Sequence, residues 1–173
     1  MSHDFSVLNL VDTAFAVMLY SLSEEVGVPR ARSSAMVQME VKGVQISSKA
    51  YHRVVLKEKE GEAYLHIVIG PNEARAISLA HNDQSPARPL SYDLACSLLE
   101  EAEASISRVT ITDLHEGIYY AEVHLENADG TTVNVDSRPS DAIALAVRTD
   151  APIFAAKSVL DEEGSTELEE EEE

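Results

Sequence analysis

A short segment near the C-terminal end of the chain, Asp136-Ser-Arg-Pro-Ser-Asp141, holds side chains that could act on a phosphate group. Phosphodiester hydrolysis needs an activated water and positive charge beside the transferring phosphoryl group. Carboxylates suit Mg²⁺ or Mn²⁺, and a guanidinium suits phosphate. We therefore identify Asp136, Arg138 and Asp141 as candidate catalytic residues, Asp136 and Asp141 also as metal ligands, and Ser140 as a candidate substrate-binding residue.

A second segment resembles the first. The sequence PNEA starts at residue 71 and PSDA starts at residue 139, and in each case Ile, a small residue, Leu and Ala follow, with two more residues inserted in the first segment. Glu73 thus corresponds to Asp141, and it is a fourth catalytic candidate. Arg88 and Asp93 flank a short loop between the two segments, and we add them as candidate substrate-binding residues. If the two halves pack together, these carboxylates and arginines could converge.

A purely structural interpretation of the same residues stays open. An acid at the third position of a helix that begins with Pro interacts with the helix dipole and with free N–H groups, which stabilises by about 0.3–1 kcal/mol. Glu73 and Asp141 both match that description, and Arg138 could simply pair with a neighbouring aspartate. His81 lies just after the first of these helices, where a histidine could carry protons.

Both helices and strands are predicted around these residues and must position them. Apolar residues at helical spacing predict helices over residues 71–82, 90–104 and 139–148. Alternating or continuous apolar runs, separated by turns such as NADG, predict strands between them. We expect an α+β fold with a mixed, mostly antiparallel sheet and about three helices, built on a duplicated strand–strand–helix unit. The predicted strands cover residues 36–46, 52–59, 64–70, 107–114, 117–126, 131–136 and 152–155.

Charge and composition divide the chain into three parts. Residues 1–35 are predicted to be an extension with an amphipathic helix and a linker, and residues 36–160 the folded domain. Residues 161–173 carry nine of the 31 acids and no base, which predicts a disordered acidic tail. The other 160 residues hold 22 acids against 13 Lys and Arg, so we expect only weak binding to a polyanion.

Several classes of protein are disfavoured by the same sequence. One cysteine excludes an internal disulfide, and the sequence contains no apolar run of about 18 residues that could cross a membrane. The first residues lack the basic start of a secretory signal, so we expect a cytoplasmic protein without a membrane partner. A homo-oligomer is expected because strand-rich domains of this size often pair through edges or helices.

Four ordered blocks resemble the bifunctional nuclease (BFN) domain family: HIVIGPNEARAISLA, RPLSYDL, VTITDLHEGIYYAEVHL and VDSRPSDAIALAVRTDAPIF. The resemblance covers about Val37 to Leu160. It implies an α+β domain with nuclease activity of low specificity toward RNA and DNA, and hence nucleic acid as a substrate. A noncatalytic interaction or regulatory module and a small-anion or nucleotide-binding domain remain as alternatives. The resemblance covers these site positions: Gly70, Glu73, Ala74, Arg88, Pro89, Asp93, Asp136, Arg138, Pro139, Ser140 and Asp141.

Overall fold

The structure of the chain is a computed structural model, which describes residues 35–46 and 51–166. The predicted N-terminal extension up to residue 34 and the end of the acidic tail from residue 167 lie outside the described residues. In chain order the elements are β1 (Met36–Ile46), β2 (His52–Glu58), β3 (Tyr64–Ile69), α1 (Pro71–His81), α2 (Ser91–Glu101), β4 (Ala104–His115), β5 (Ile118–Asn127), β6 (Thr132–Ser137), α3 (Pro139–Thr149), β7 (Ile153–Ala156) and α4 (Lys157–Glu163).

The strands form one seven-stranded sheet in the order β3-β2-β1-β7-β4-β5-β6. All neighbouring strands are antiparallel except β4 and β7, which pair in parallel. The α+β prediction with a mixed, mostly antiparallel sheet is therefore confirmed.

The sheet is built from two similar halves on either side of β7. Strands β1, β2 and β3 form an antiparallel meander that leads into α1, and β4, β5 and β6 form another that leads into α3. The repeated unit thus has three strands and a helix, one strand more than the sequence suggested. Helix α2 connects the halves, and β7 joins them by pairing with β1 and β4.

Helix α3 is buried on more than one of its faces. Pro139 begins the helix, and the buried side chains include Ala142, Ile143, Ala144 and Ala146. Alanine is the best helix former and its small side chain lets neighbouring backbones approach closely. Ile143 is fully buried, which contributes about 1.5–3 kcal/mol of transfer free energy. The helix is therefore held firmly where its first turn carries the candidate site residues.

The C-terminal segment packs onto the domain as far as Ser165. Val159 and Leu160 of α4 are buried in the core cluster. Beyond α4, the N–H of Tyr64 donates to Ser165 O at 2.7 Å, and the N–H of Ser165 donates to Tyr64 O at 2.9 Å. Residues 161–166, at the start of the predicted acidic tail, are thus part of the fold. Among the described residues, no helix is long and apolar enough to span a membrane.

Candidate functional site

Three helices present an acid at the same position of their first turn. Glu73 is the third residue of α1, Asp93 of α2 and Asp141 of α3. Helices α1 and α3 both follow an outer strand of the sheet and begin with Pro, so the two meanders deliver Glu73 and Asp141 in equivalent ways. The residues before these helices differ, because Gly70 precedes α1 and Arg138 precedes α3.

Arg138 joins the two halves by binding both of these carboxylates. Its Nε donates to Asp141 Oδ2 at 2.7 Å and its Nη2 donates to Asp141 Oδ1 at 2.9 Å. The same Nη2 donates to Glu73 Oε1 at 3.1 Å. The Arg138 side chain is nonetheless 67% exposed, whereas Glu73 is 17% exposed. A largely buried carboxylate from one half and a carboxylate from the other therefore share one accessible guanidinium.

Tyr92, on helix α2, also binds the Asp141 carboxylate. Its hydroxyl donates to Asp141 Oδ1 at 2.6 Å, across 49 residues of sequence. Asp141 accepts three hydrogen bonds from side chains of the described residues, two from Arg138 and one from Tyr92. This arrangement exceeds what an acid needs in order to interact with its helix dipole. We call Glu73, Tyr92, Arg138 and Asp141 the Arg138 cluster.

A second ion pair, between Arg148 and Asp93, is more buried than the ion pairs of Arg138. Arg148 is 8% exposed, and its Nε donates to Asp93 Oδ1 at 2.6 Å. Its other nitrogens donate to Ala144 O at 2.8 Å and to Ala76 O at 3.1 Å. Its guanidinium also lies 5.5 Å from the centre of the Tyr92 ring, a cation–π distance. Arg148 thus connects α1, α2 and α3 behind the Arg138 cluster.

Hydrogen bonds and burial shift the pKa values so that Asp93 and Asp141 stay charged and the Tyr92 hydroxyl stays neutral. Burial raises the pKa of Asp141, but hydrogen bonds from Arg138 and Tyr92 outweigh it, and the net pKa is lowered. The hydrogen bond from Arg148, followed by that from the Leu90 N–H, lowers the pKa of Asp93. Burial and the adjacent Asp141 carboxylate raise the pKa of the Tyr92 hydroxyl. At neutral pH the cluster therefore holds the charged carboxylate of Asp141, the guanidinium of Arg138 and the protonated phenol of Tyr92.

Two carboxylates of the Arg138 cluster suit a divalent cation that is also bound by a phosphate. Mg²⁺ is usually held by one or two carboxylates together with substrate phosphates and waters. Glu73 Oε1 and Asp141 Oδ1 both lie within hydrogen-bond distance of the same nitrogen, Arg138 Nη2. These two carboxylates are therefore the oxygen donors of the cluster that could hold such an ion if the exposed guanidinium moves. No group of three or more His, Cys, Asp or Glu side chains in the described part of the chain is arranged to hold a metal ion.

An open cleft of about 460 Å³ lies beside the second ion pair and not at the Arg138 cluster. Asp93 and Arg148 line it, together with Asp83 and Asp150. Arg148 is buried and bound on several sides, so the accessible charged groups of the cleft are carboxylates, which repel a phosphate. The exposed Arg138 is the better position for an anionic group.

Comparison with known proteins agrees with this domain structure. The sequence model of the family described as "Bifunctional nuclease domain" matches residues 54–167, most of the folded part of the chain. The chain belongs to the bifunctional nuclease domain family. Family membership points to a nuclease, and the resemblance noted in the sequence is confirmed.

Bacterial and plant relatives of this bifunctional nuclease domain differ in how much of their length is matched. An uncharacterized protein of Mycobacterium tuberculosis is 35% identical over 130 residues, covering 75% of this chain and 77% of that protein. Bifunctional nuclease 2 of Arabidopsis thaliana is 33% identical over 109 residues, covering 60% of this chain and 32% of that protein. Bifunctional nuclease 1 of Oryza sativa subsp. japonica is 28% identical, with 61% and 33% covered. The chain thus spans about a third of the plant nucleases.

The structure separates the predicted site residues of this domain into groups. Arg138, Asp141 and Glu73 come together, whereas Asp93 binds Arg148 and caps α2 through the Leu90 N–H at 2.7 Å. The expected convergence of all the carboxylates therefore occurs for two of them.

Three other predicted residues lie outside the Arg138 cluster. Asp136 is exposed and pairs with Glu122 on β5, on the face opposite the buried Ala121. Ser140 is 7% exposed at the start of α3. Arg88 is exposed in the loop before α2. The structure therefore does not bring Asp136 together with Asp141, and the roles predicted for Asp136, Ser140 and Arg88 remain predictions.

Two residues of the site were not identified from the sequence. Tyr92 lies within RPLSYDL and Arg148 within the block that begins VDSRPSD, so both fall inside the segments that carry the family resemblance. Arg148 also follows Asp141 by seven residues, two helical turns, which places it on the same side of α3. That spacing was the available signal for Arg148, whereas no local pattern indicates the partner of Tyr92.

Proposed function

We propose that this chain is a nuclease of low sequence specificity that hydrolyses phosphodiester bonds in RNA and DNA, with its active site at the Arg138 cluster. The proposal is supported by family membership and by one geometric observation. A single accessible guanidinium is shared by carboxylates from the two halves of the fold. An accessible arginine can stabilise the charge on a transferring phosphoryl group, and the adjacent carboxylates can hold a metal ion.

Arg138 would contact the phosphate directly. Its Nε and Nη2 bind Asp141 and Glu73, while Nη1 has no hydrogen bond to the described residues. With 67% of the side chain exposed, Nη1 can donate to a phosphate oxygen and stabilise the charge that develops there. Contacts of this kind carry no base information, which agrees with low sequence specificity.

Glu73 and Asp141 would hold a divalent cation, Mg²⁺ or Mn²⁺, once the exposed Arg138 guanidinium turns from their oxygens toward the phosphate. Such an ion supplies a nucleophilic water at neutral pH and neutralises phosphate charge. It would also offset the repulsion between a phosphate and the two carboxylates. Tyr92 would keep Asp141 oriented through its 2.6 Å hydrogen bond, so this residue acts on position and not on the reacting atoms.

The test is cleavage of labelled single-stranded RNA and DNA by the wild type and by Asp141→Asn, with Mg²⁺, Mn²⁺ or a chelator. We expect Asp141→Asn to lower kcat/KM by about 10²–10³-fold, the range for loss of one positioned catalytic group. Glu100→Gln is the matched control, because Glu100 is an exposed acid of α2 and its loss also removes one charge. Circular dichroism should show equal folding of all variants.

Each outcome decides between specific interpretations. Metal-dependent cleavage that is lost in Asp141→Asn and kept in Glu100→Gln would support the proposal. Cleavage lost in Asp136→Asn but kept in Asp141→Asn would move the site to the opposite face of the sheet. Equal cleavage by all variants would place the chemistry elsewhere. Thermal stabilisation by phosphate-bearing ligands without any cleavage would favour the alternative of an anion-binding domain.

A further inference from the structure

The two outer edges of the sheet, β3 and β6, differ in how far other described residues cover them. At the β3 edge, the backbone of Ser165 forms two hydrogen bonds with Tyr64 and so covers part of the strand. At the other edge, β6 pairs with β5 on its inner side, and its outer side pairs with none of the described residues. No strand of the described residues uses the N–H and C=O groups along that outer side.

Strand β6 carries one charged residue, Asp136, but lacks the other features that usually protect an edge. Its sequence, Thr132-Val-Asn-Val-Asp-Ser137, contains no Lys and no Pro. Its register with β5 runs without a shift, whereas the pairings β1–β2 and β4–β5 both contain irregularities. Val133 and Val135, on one face of the strand, are 46% and 42% exposed. A regular, exposed edge with apolar side chains is a template for pairing with a further strand.

We propose that β6 is the interface of a homodimer, in which β6 of a second copy pairs with it antiparallel about a two-fold axis at Asn134. In this register, Val133 lies opposite Val135 of the second copy, and Val135 lies opposite Val133. On the other face of the sheet, Asn134 meets its own counterpart and Thr132 meets Asp136. The two sheets would become one continuous sheet of fourteen strands.

The sequence of β6 argues for a second copy as the partner, since the strand is complementary to itself in this register. Every valine meets a valine, and the hydroxyl of Thr132 can donate to the carboxylate of Asp136. An axis at Val133 or Val135 would pair only one valine of each strand with a valine. An axis at Asp136 would set two like charges directly opposite each other, which is unfavourable.

The overall charge of the chain gives this dimer a salt dependence. Each copy carries a net charge of −18, so two copies repel each other at long range. The screening length falls from about 30 Å at 0.01 M salt to about 8 Å at 0.15 M. Because the pairing itself rests on backbone hydrogen bonds and valine contacts, the dimer should become tighter as salt is added.

The first test is the mass of the full chain in solution, measured by sedimentation at several protein and NaCl concentrations. We expect twice the chain mass of 18.9 kDa, with a dissociation constant that falls as salt rises. Val133→Lys should raise the dissociation constant at least tenfold. Val68→Lys is the matched control, because Val68 is 64% exposed on the opposite edge strand β3, and it should leave the dimer unchanged.

The second test asks whether the predicted register is correct. Val133→Lys and Val135→Glu should each be monomeric alone, and their mixture should form a heterodimer in which lysine faces glutamate. A wild type that stays monomeric at 0.15 M salt and 100 µM protein would overturn the proposal. The same holds if β6 of the monomer binds a strand from another protein. A dimer that survives Val133→Lys, or variants that stay monomeric when mixed, would overturn this interface. The outcome is independent of the proposed nuclease activity.

Discussion

Arg148 is expected to stabilise the fold far more than Arg138, although both arginines bind carboxylates of helix first turns. Arg148 is 8% exposed and binds one carboxylate and two backbone carbonyls. Arg138 is 67% exposed and binds Glu73 and Asp141 near the surface. We predict that Arg148→Met destabilises the protein more than Arg138→Met does.

The magnitudes follow from burial. Removing one partner of a fully buried ion pair costs about 3–5 kcal/mol, because the other charge stays buried without compensation. Asp93 is 29% exposed, so water would recover part of that cost. The carbonyls of Ala144 and Ala76 would lose a donor as well. We expect Arg148→Met to lower the free energy of unfolding by about 2–4 kcal/mol, and Arg138→Met to lower it by less, because water reaches the exposed Arg138 guanidinium and weakens its ion pairs.

Urea unfolding followed by circular dichroism measures both values on the full chain. For a chain of this size, the loss at Arg148 corresponds to a fall in Tm of about 5–15 °C. Adding Asp93→Asn to Arg148→Met should cost less than the sum of the two single variants, because each single variant already breaks the pair. Asn keeps an oxygen for the Leu90 N–H, so the α2 cap is preserved. Equal losses for Arg148→Met and Arg138→Met would refute the reasoning from burial.

Three further predictions concern the site and the sheet. Gly70→Ala should lower the cleavage rate at least tenfold with little change in Tm, because the added Cβ would overlap the flexible Glu73 carboxylate and displace it. Cleavage at the wild-type rate would show that Glu73 is not part of the active site. His66→Leu should raise the free energy of unfolding by about 1 kcal/mol, since neither buried ring nitrogen has a hydrogen-bond partner in the structure; a lower urea midpoint would contradict this. The lowered pKa values of Asp93 and Asp141 contribute stability that is present above the unfolded value of about 3.9 and is lost as pH falls through the folded values. Urea midpoints at pH 7, 4 and 3 should therefore fall less steeply in Asp141→Asn than in the wild type, and parallel curves would contradict the assignment.

Much of the fold could be predicted because local patterns and tertiary packing agree. The helix that begins at Pro139 was predicted as residues 139–148 and observed as Pro139–Thr149, since its proline start and its alanine-rich face both favour a buried helix. The strand at Met36–Ile46 was predicted with the same bounds. The central place of β7 was not predictable, because pairing between Ile153 and both Met39 and Val109 depends on contacts distant in sequence.

The candidate site was predictable only where its residues are local. The spacing of Arg138 and Asp141 indicated their contact, and the repeat of Pro, acid and Ala indicated an equivalent role for Glu73. Asp136 follows the same local logic, but strand alternation turns its side chain to the other face of the sheet. The hydroxyl of Tyr92 reaches Asp141 only after α2 packs beside α3, and no sequence pattern encodes that packing.

The position of β7 also has a consequence for synthesis of the chain. This strand lies at the middle of the sheet, yet it is the last of the seven to be made. About 100 residues separate it from its partner β1, and at about 5–20 residues per second they take on the order of ten seconds to translate. Until Ile153–Ala156 is available, β1 and β4 each present an open inner edge. The nascent chain therefore carries two incomplete half-sheets, and its folding is expected to finish only after translation has passed residue 156.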